Sequence, residues 1–269
     1  MNDRSHIISL NIHNLSFENS LNQITEWGLN QNNGFVCFAN SHMTVHAHKF
    51  PAFKAALSKA KLILPDGKPL AIACNLLYRK KQERISGMDF MPALLNELNK
   101  KSASVFLYGS TELVLTQLTQ KFNLQYPNVT IVGSISPSFA GVSAEETAEH
   151  IRLMNESKAQ FVLVALGCPK QETWMATHYN SINALLLGVG GAFPVVAGVQ
   201  KRSPKIMQSL SLEWLYRLKQ EPRRLFKRYL FTNMSFLYLL SKEMARKHIL
   251  LKKPGTPRPF PVYNTTVNE

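Results

Sequence analysis

Five short apolar runs, each closed by small or polar residues, set the fold class of this 269-residue chain. They read GFVCFAN (34–40), AKLILPDG (60–67), ASVFLYGST (103–111), QFVLVALGCPKQE (160–172) and ALLLGVGGAF (184–193). A sixth strand pattern, NVTIVGSIS, follows Pro127. Between the runs lie stretches such as MDFMPALLNELNKK and TELVLTQLTQKFNLQYP, in which Leu and Met recur at helical spacing. Apolar strands alternating with amphipathic helices predict a doubly wound α/β fold, its sheet mostly parallel and flanked by helices. No internal repeat is visible.

Such a sheet binds ligands beyond the carboxyl ends of its strands, and the polar residues cluster there. Asn40 and Ser41 end the first run, Asp66 and Gly67 the second, and Gly109, Ser110 and Thr111 the third. Gln171 and Glu172 come after the fourth, and Gly190 and Gly191 close the fifth. One such cluster is a turn; five on one edge outline a site.

The formal charge of +14 is unevenly placed. From Lys201 to Lys253 there are fourteen Lys and Arg against Glu213, Glu221 and Glu243, a net of +11. The chain therefore divides into an α/β core (1–200), a basic helical appendage (201–253) and a proline-rich tail (254–269) expected to be disordered. In the appendage, EWLYRLKQEPRRLFKRY interleaves aromatic and basic side chains. A solvated charged face is the usual explanation of such a run. Trp214, Tyr216, Phe226, Tyr229 and Phe231 leave little room for a simple polar face and suit an anionic membrane interface. No apolar stretch reaches the roughly 18–20 residues that span a bilayer. The N-terminus lacks the apolar segment of a secretory signal, and three scattered cysteines (Cys37, Cys74, Cys168) fit reduced thiols in a cytosol.

The motifs carry opposing readings. Asp66-Gly67 is a common turn dipeptide, yet Asp66 is one of only three aspartates in the chain. A carboxylate partly desolvated at a strand terminus can act as a general base. His42 and His46 lie four apart, but without the HExxH glutamate they read as an ordinary helix. With no Asp-x-Asp pair for a cation either, no metal and no cofactor are expected. LGVGGAF is close to a dinucleotide loop but is not GxGxxG, which argues against a nicotinamide-dependent oxidoreductase. The sequence pI of about 9.8 raises a nucleic-acid-binding protein as a second rival. No recognition motif accompanies the charge, and nucleic acid is not an expected partner. In GCPKQE, Gln171 offers donors and acceptors for a sugar or a uracil edge; a capped helix start explains it equally well.

Together these segments resemble the bacterial WecG/TagA/CpsF glycosyltransferase family. The likeness runs from about Ile8 to Tyr229. It rests on PDG (65–67), RISGMDF (84–90), YPNVTIVG (126–133), LGCPKQE (166–172), GVGGAF (188–193), RSPKIMQSLSLEWLYRL (202–218) and the following EPRR. The resemblance implies a Rossmann-like core and a metal-independent, inverting enzyme. Its donor would be a UDP-sugar, its acceptor a polyprenyl-diphosphate-linked sugar, and its product part of a surface polysaccharide or cell-wall polymer. It also implies an appendage that brings the enzyme to the inner face of the plasma membrane and helps complete the site. By motif, Asp66 is the implied base, Asn40, Arg84 and Gln171 are pocket positions, and Arg217 and Arg224 contact the acceptor diphosphate. The strand-end residues Gly109, Glu172, Gly190 and Gly191 join the expected binding set. Two positions depart from many relatives: Phe38 stands in place of Thr in Thr-x-Asn, and Pro194 in place of Asp after Phe193. An amphipathic appendage of this kind also makes a homo-oligomer an expected way of covering that surface in solution.

Overall fold

A computed structural model describes residues 3–138, 141–209, 213–220 and 222–252. Its centre is a six-stranded sheet. The strands are β3 (Gly34–Ala39), β4 (Leu62–Pro65), β5 (Ser104–Gly109), β6 (Thr130–Ile135), β7 (Phe161–Ala165) and β8 (Leu185–Gly188). Every neighbouring pair is parallel, in the order β4-β3-β8-β7-β5-β6. All six apolar patterns of the sequence are strands of this sheet. Five of them read as unbroken apolar runs because helices cover both faces of a parallel sheet; β6, at the sheet edge, is only partly buried.

Alternate residues of each strand feed two cores. In β3, Phe35, Cys37 and Ala39 point to one layer, while Val36 and Phe38 point to the other. In β7, Val162 and Val164 oppose Phe161, Leu163 and Ala165 in the same way. The second layer is built by α1 (Phe17–Leu29), α5 (Gly87–Asn99), α6 (Glu112–Gln125) and α9 (Ala192–Ala197). The first contains α2 (Ser41–Lys49), α3 (Pro51–Ser58), α4 (Lys68–Tyr78), α7 (Ala144–Glu156) and α8 (Lys170–His178). Starts of these helices carry the side chains their sequences predict: Ser16, Asn40, Ser86, Thr111 and Ser143 each accept a hydrogen bond from a first-turn N–H.

An antiparallel hairpin, β1 (Arg4–Ile7) and β2 (Leu10–His13), precedes the sheet. The sequence pattern did not reveal it. Ile7, Leu10 and Ile12 bury themselves in the first layer, and His13 Nδ1 accepts from the Ile63 N–H at 3.0 Å. Ile8, at the turn, has φ of 59°, an uncommon conformation for a β-branched residue.

After residue 200 the chain is helical, as expected, in α10 (Lys205–Ser209), α11 (Glu213–Gln220) and α12 (Pro222–Lys252). The expected disordered tail falls outside the described residues. α12 packs mainly on α2 and touches α4, burying Phe236 and Leu240 in the first layer. Its far half is held by polar contacts. The Ile8 N–H donates to Glu243 Oε2 at 2.6 Å, and Lys247 Nζ donates to the Leu77 carbonyl at 2.7 Å over the Tyr78 ring.

Candidate active site

The carboxyl ends of β3, β4, β7 and β8 open into a cavity of about 500 Å³, a size suited to a small-molecule ligand. Its floor and walls come from the turns that the sequence singled out. Asn40, Asp66, Arg84, Gln171, Glu172, Gly190 and Gly191 all line it. Phe38 and Pro194, the two departures from the family pattern, line it too. Gly109 does not. It ends β5 with φ of 107°, and a Cβ there would sit 2.6 Å from the Ala165 main chain. It is a close-approach glycine, and its neighbour Ser110 reaches the cavity instead. The side chains of Arg217 and Arg224 lie outside the described residues.

Asp66 stands at the N-terminal approach to α4, half-buried on the cavity wall. Its main chain is fixed on both sides. The Asp66 N–H donates to the Ala39 carbonyl at 2.7 Å, and its own carbonyl accepts from Arg84 Nε at 2.8 Å. Gly67 adds a weaker bond to the same Ala39 oxygen at 3.3 Å. Asp66 therefore belongs to a braced turn and also lines the cavity. Asn40 likewise has two parts, since its Oδ1 caps α2 by accepting from Met43 N–H at 3.1 Å while the residue borders the cavity.

The Gln171–Glu172 pair opens α8 behind the cavity wall. Gln171 Nε2 donates to Glu172 Oε1 at 2.8 Å, and both residues are almost wholly buried. Burial pushes the Glu172 carboxyl above the usual carboxylate range. Among the described residues, Gln171 Oε1 and Glu172 Oε2 find no hydrogen-bond partner. Gly188 makes room for this pair, because a Cβ on it would lie 2.7 Å from both Gln171 Nε2 and Met175 Cε.

Arg84 is less free than a cation waiting for phosphate. Besides its bond to the Asp66 carbonyl, its Nη2 meets Glu213 Oε2 at 2.6 Å, with side-chain exposures of 17% and 18%. Glu213 belongs to α11, so the appendage reaches into the site. Trp214 also lines the cavity, as do Tyr229, Thr232 and Asn233 of α12 and His42 of α2. Sequence reasoning placed none of these five, nor Glu213, in the pocket: it read His42 as part of an ordinary helix and Trp214 and Tyr229 as membrane-facing. The signal for α12 was present: Tyr229, Thr232, Phe236, Leu240 and Glu243 recur at three- and four-residue steps and mark the face turned to the core. Among the described residues, no group of three or more His, Cys, Asp or Glu side chains is placed to hold a metal ion.

Fold and cleft together define an α/β enzyme with a cavity at the carboxyl edge of a parallel sheet, lined by Asp66, Glu172 and Glu213. More narrowly, the chain belongs to the glycosyl transferase WecG/TagA/CpsF family, whose description matches residues 5–249, and it is a glycosyltransferase. It is 32% identical over 198 residues to an N-acetylglucosaminyldiphosphoundecaprenol N-acetyl-beta-D-mannosaminyltransferase of Bacillus spizizenii, covering 73% of this chain and 75% of the relative. A protein of the same name from Staphylococcus aureus strain MW2 is 29% identical over 231 residues, 83% of this chain and 89% of its own length.

Proposed function

We propose that this chain transfers a sugar from a UDP-sugar to the sugar of a polyprenyl-diphosphate carrier, with inversion and without a metal. The acceptor class follows the names of the two relatives above, which act on an N-acetylglucosaminyl group carried by diphosphoundecaprenol. The observation that carries the reading is the placement of Asp66. A lone braced aspartate lines a cleft whose other walls come from the sheet edge on one side and the C-terminal helices on the other.

The chemistry then takes one displacement. The acceptor hydroxyl attacks the anomeric carbon as Asp66 takes its proton. The new C–O bond forms while the bond from that carbon to the diphosphate oxygen breaks, and its electron pair leaves with UDP. Base catalysis of this kind contributes about 10²–10⁴-fold. Negative charge building on the diphosphate is met by the N-termini of α2 and α4, which open on the cavity at Asn40–Ser41 and Gly67–Lys68. The arginines of the appendage, Arg217 and Arg224, serve the acceptor diphosphate.

The lipid carrier stays in its bilayer, so the enzyme docks on the inner face of the plasma membrane. Support comes from the outer side of α12. There Phe226, Leu230, Phe231, Met234, Leu237 and Tyr238 are all more than half exposed, beside exposed Arg223, Lys242 and Arg246. Such a face suits an interface carrying anionic lipid. Among the described residues, no helix is long and apolar enough to cross a membrane.

The test is a panel of UDP-sugars, each incubated with the full chain and a short-chain polyprenyl-diphosphate N-acetylglucosamine. UDP release and a product heavier by one sugar support the proposal. Release of UDP without such a product, or no release with any donor, removes it.

A further inference from the structure

Glu213 has no place in the chemistry above, yet it is the appendage residue tied most directly to the catalytic turn. Its carboxylate holds Arg84 Nη2 at 2.6 Å, and Arg84 Nε holds the Asp66 carbonyl at 2.8 Å. The other side of the same residue is fixed by the sheet, through the Asp66 N–H and the Ala39 carbonyl at 2.7 Å. We infer that Glu213 is a positioning residue: by holding Arg84 in place it sets the Asp66 turn. This rests on the proposed role of Asp66.

The physical need is clear from Arg84 itself. A guanidinium carries five donors and reaches several ångströms, and the cavity offers it a nearby carboxylate and, during turnover, a diphosphate. Released from Glu213, it would be free to leave the Asp66 carbonyl and pair with the Asp66 carboxylate, which would weaken that group as a base. With Glu213 bound, one face of the guanidinium is neutralised and its direction is fixed by two bonds at once. Both side chains are mostly buried, so the pair is screened less than a surface ion pair and its loss leaves a charge without compensation.

On the side of Glu213 away from the main cavity the seam is nearly closed. Met88, Val195, Arg202, Ser203 and Tyr216 leave a void of only about 10 Å³ beside Glu213. Arg202 meets Asp89 at 2.5 Å, and Gln220 bridges Gln200 and the Lys201 carbonyl, at 2.9 and 3.3 Å. α11 is thus docked through Gln220 as well as Glu213, and among the contacts described only the one from Glu213 runs on, through Arg84, to Asp66. That difference separates positioning from mere docking.

The experiment compares the wild-type chain with Glu213→Gln, Glu213→Asp and Gln220→Ala, all at full length. Glu213→Gln keeps the shape and removes the charge. It should lower kcat about 30-fold with the donor KM within about threefold, because the loss falls on the reacting geometry and not on donor binding. Glu213→Asp, which restores the charge, should recover at least about fivefold over Gln. Gln220→Ala, which loosens the same seam without touching Arg84, should keep kcat within about threefold. A second readout does not need activity. Amide exchange in the peptide spanning 62–70 should speed up in Glu213→Gln and stay at the wild-type rate in Gln220→Ala. Full kcat in Glu213→Gln, an equal loss in Gln220→Ala, or unchanged exchange at the Asp66 turn would each overturn the inference. If the wild type transfers no sugar, the proposed function falls by itself, and the exchange comparison still decides whether Glu213 sets the turn.

Discussion

At the scale of single residues, two positions carry most of the argument. Asp66 is braced through its main chain, so changing its side chain should spare the turn. Asp66→Asn is expected to lower kcat at least about 100-fold, with the donor KM and the thermal midpoint close to wild type; steady-state UDP release and a melting curve check this. Gly188 is the other. A methyl group there would push into Gln171 and Met175, both packed in the interior. Gly188→Ala should therefore cost about 1–3 kcal/mol of stability by overpacking and raise the donor KM, as measured by denaturant titration and by initial rates. Neither role could be weighed from sequence alone. Asp-Gly turns are common, and only the placement of Asp66 on the cavity wall separates this one from a bland turn. Gly109 shows the opposite case, a strand-end glycine that looked like the others and is spent on main-chain approach to Ala165.

At the scale of elements, the sheet was fully legible and the additions around it were not. Strands buried on both faces declare themselves as apolar runs, and β6 announced itself behind Pro127. The hairpin stayed hidden because its strands are four residues each and its turn, at Ile8-Ser9, lacks the Asn-Gly or Asp-Gly signature. α12 was read as a helix of mixed character, which it is, but the sequence could not say which face meets the core. The structure divides it: Phe236 and Leu240 inward, Leu230, Met234 and Leu237 outward. That division makes the membrane contact testable without disturbing the fold. Leu230→Gln with Leu237→Gln should reduce sedimentation with anionic vesicles by about tenfold or more, at roughly 1 kcal/mol or above for each buried apolar side chain lost, while near-ultraviolet circular dichroism stays unchanged. Retained sedimentation would mean the outer face of α12 is not the contact.

At the scale of the whole molecule, long-range pairs such as Arg84–Glu213 were invisible because the motif places Arg84 in the pocket without naming its partner, and Glu213, alone in its segment, reads as an ordinary surface charge. The same holds for His13, whose neighbour in space is β4. Burial, with the charge of Arg4 nearby, lowers its pKa to about 4, so the folded state favours the neutral ring. A lowered pKa places the stability above the unfolded value near 6.5 and removes it as pH falls toward 4. The chain should lose about 2–3 kcal/mol over that window from this group. Denaturant midpoints recorded at pH 7, 5.5 and 4.5 should show the loss, and His13→Gln should flatten it. The contact between the hairpin and α12 has a further consequence. Ile8 and Glu243 stand 235 positions apart, so the ribosome must add that whole span before the clasp can close. A nascent or prematurely stopped product lacking α12 would hold the sheet and Asp66 yet miss the wall that α12 supplies, and synthesis itself would then delay completion of the cleft until that helix has been made.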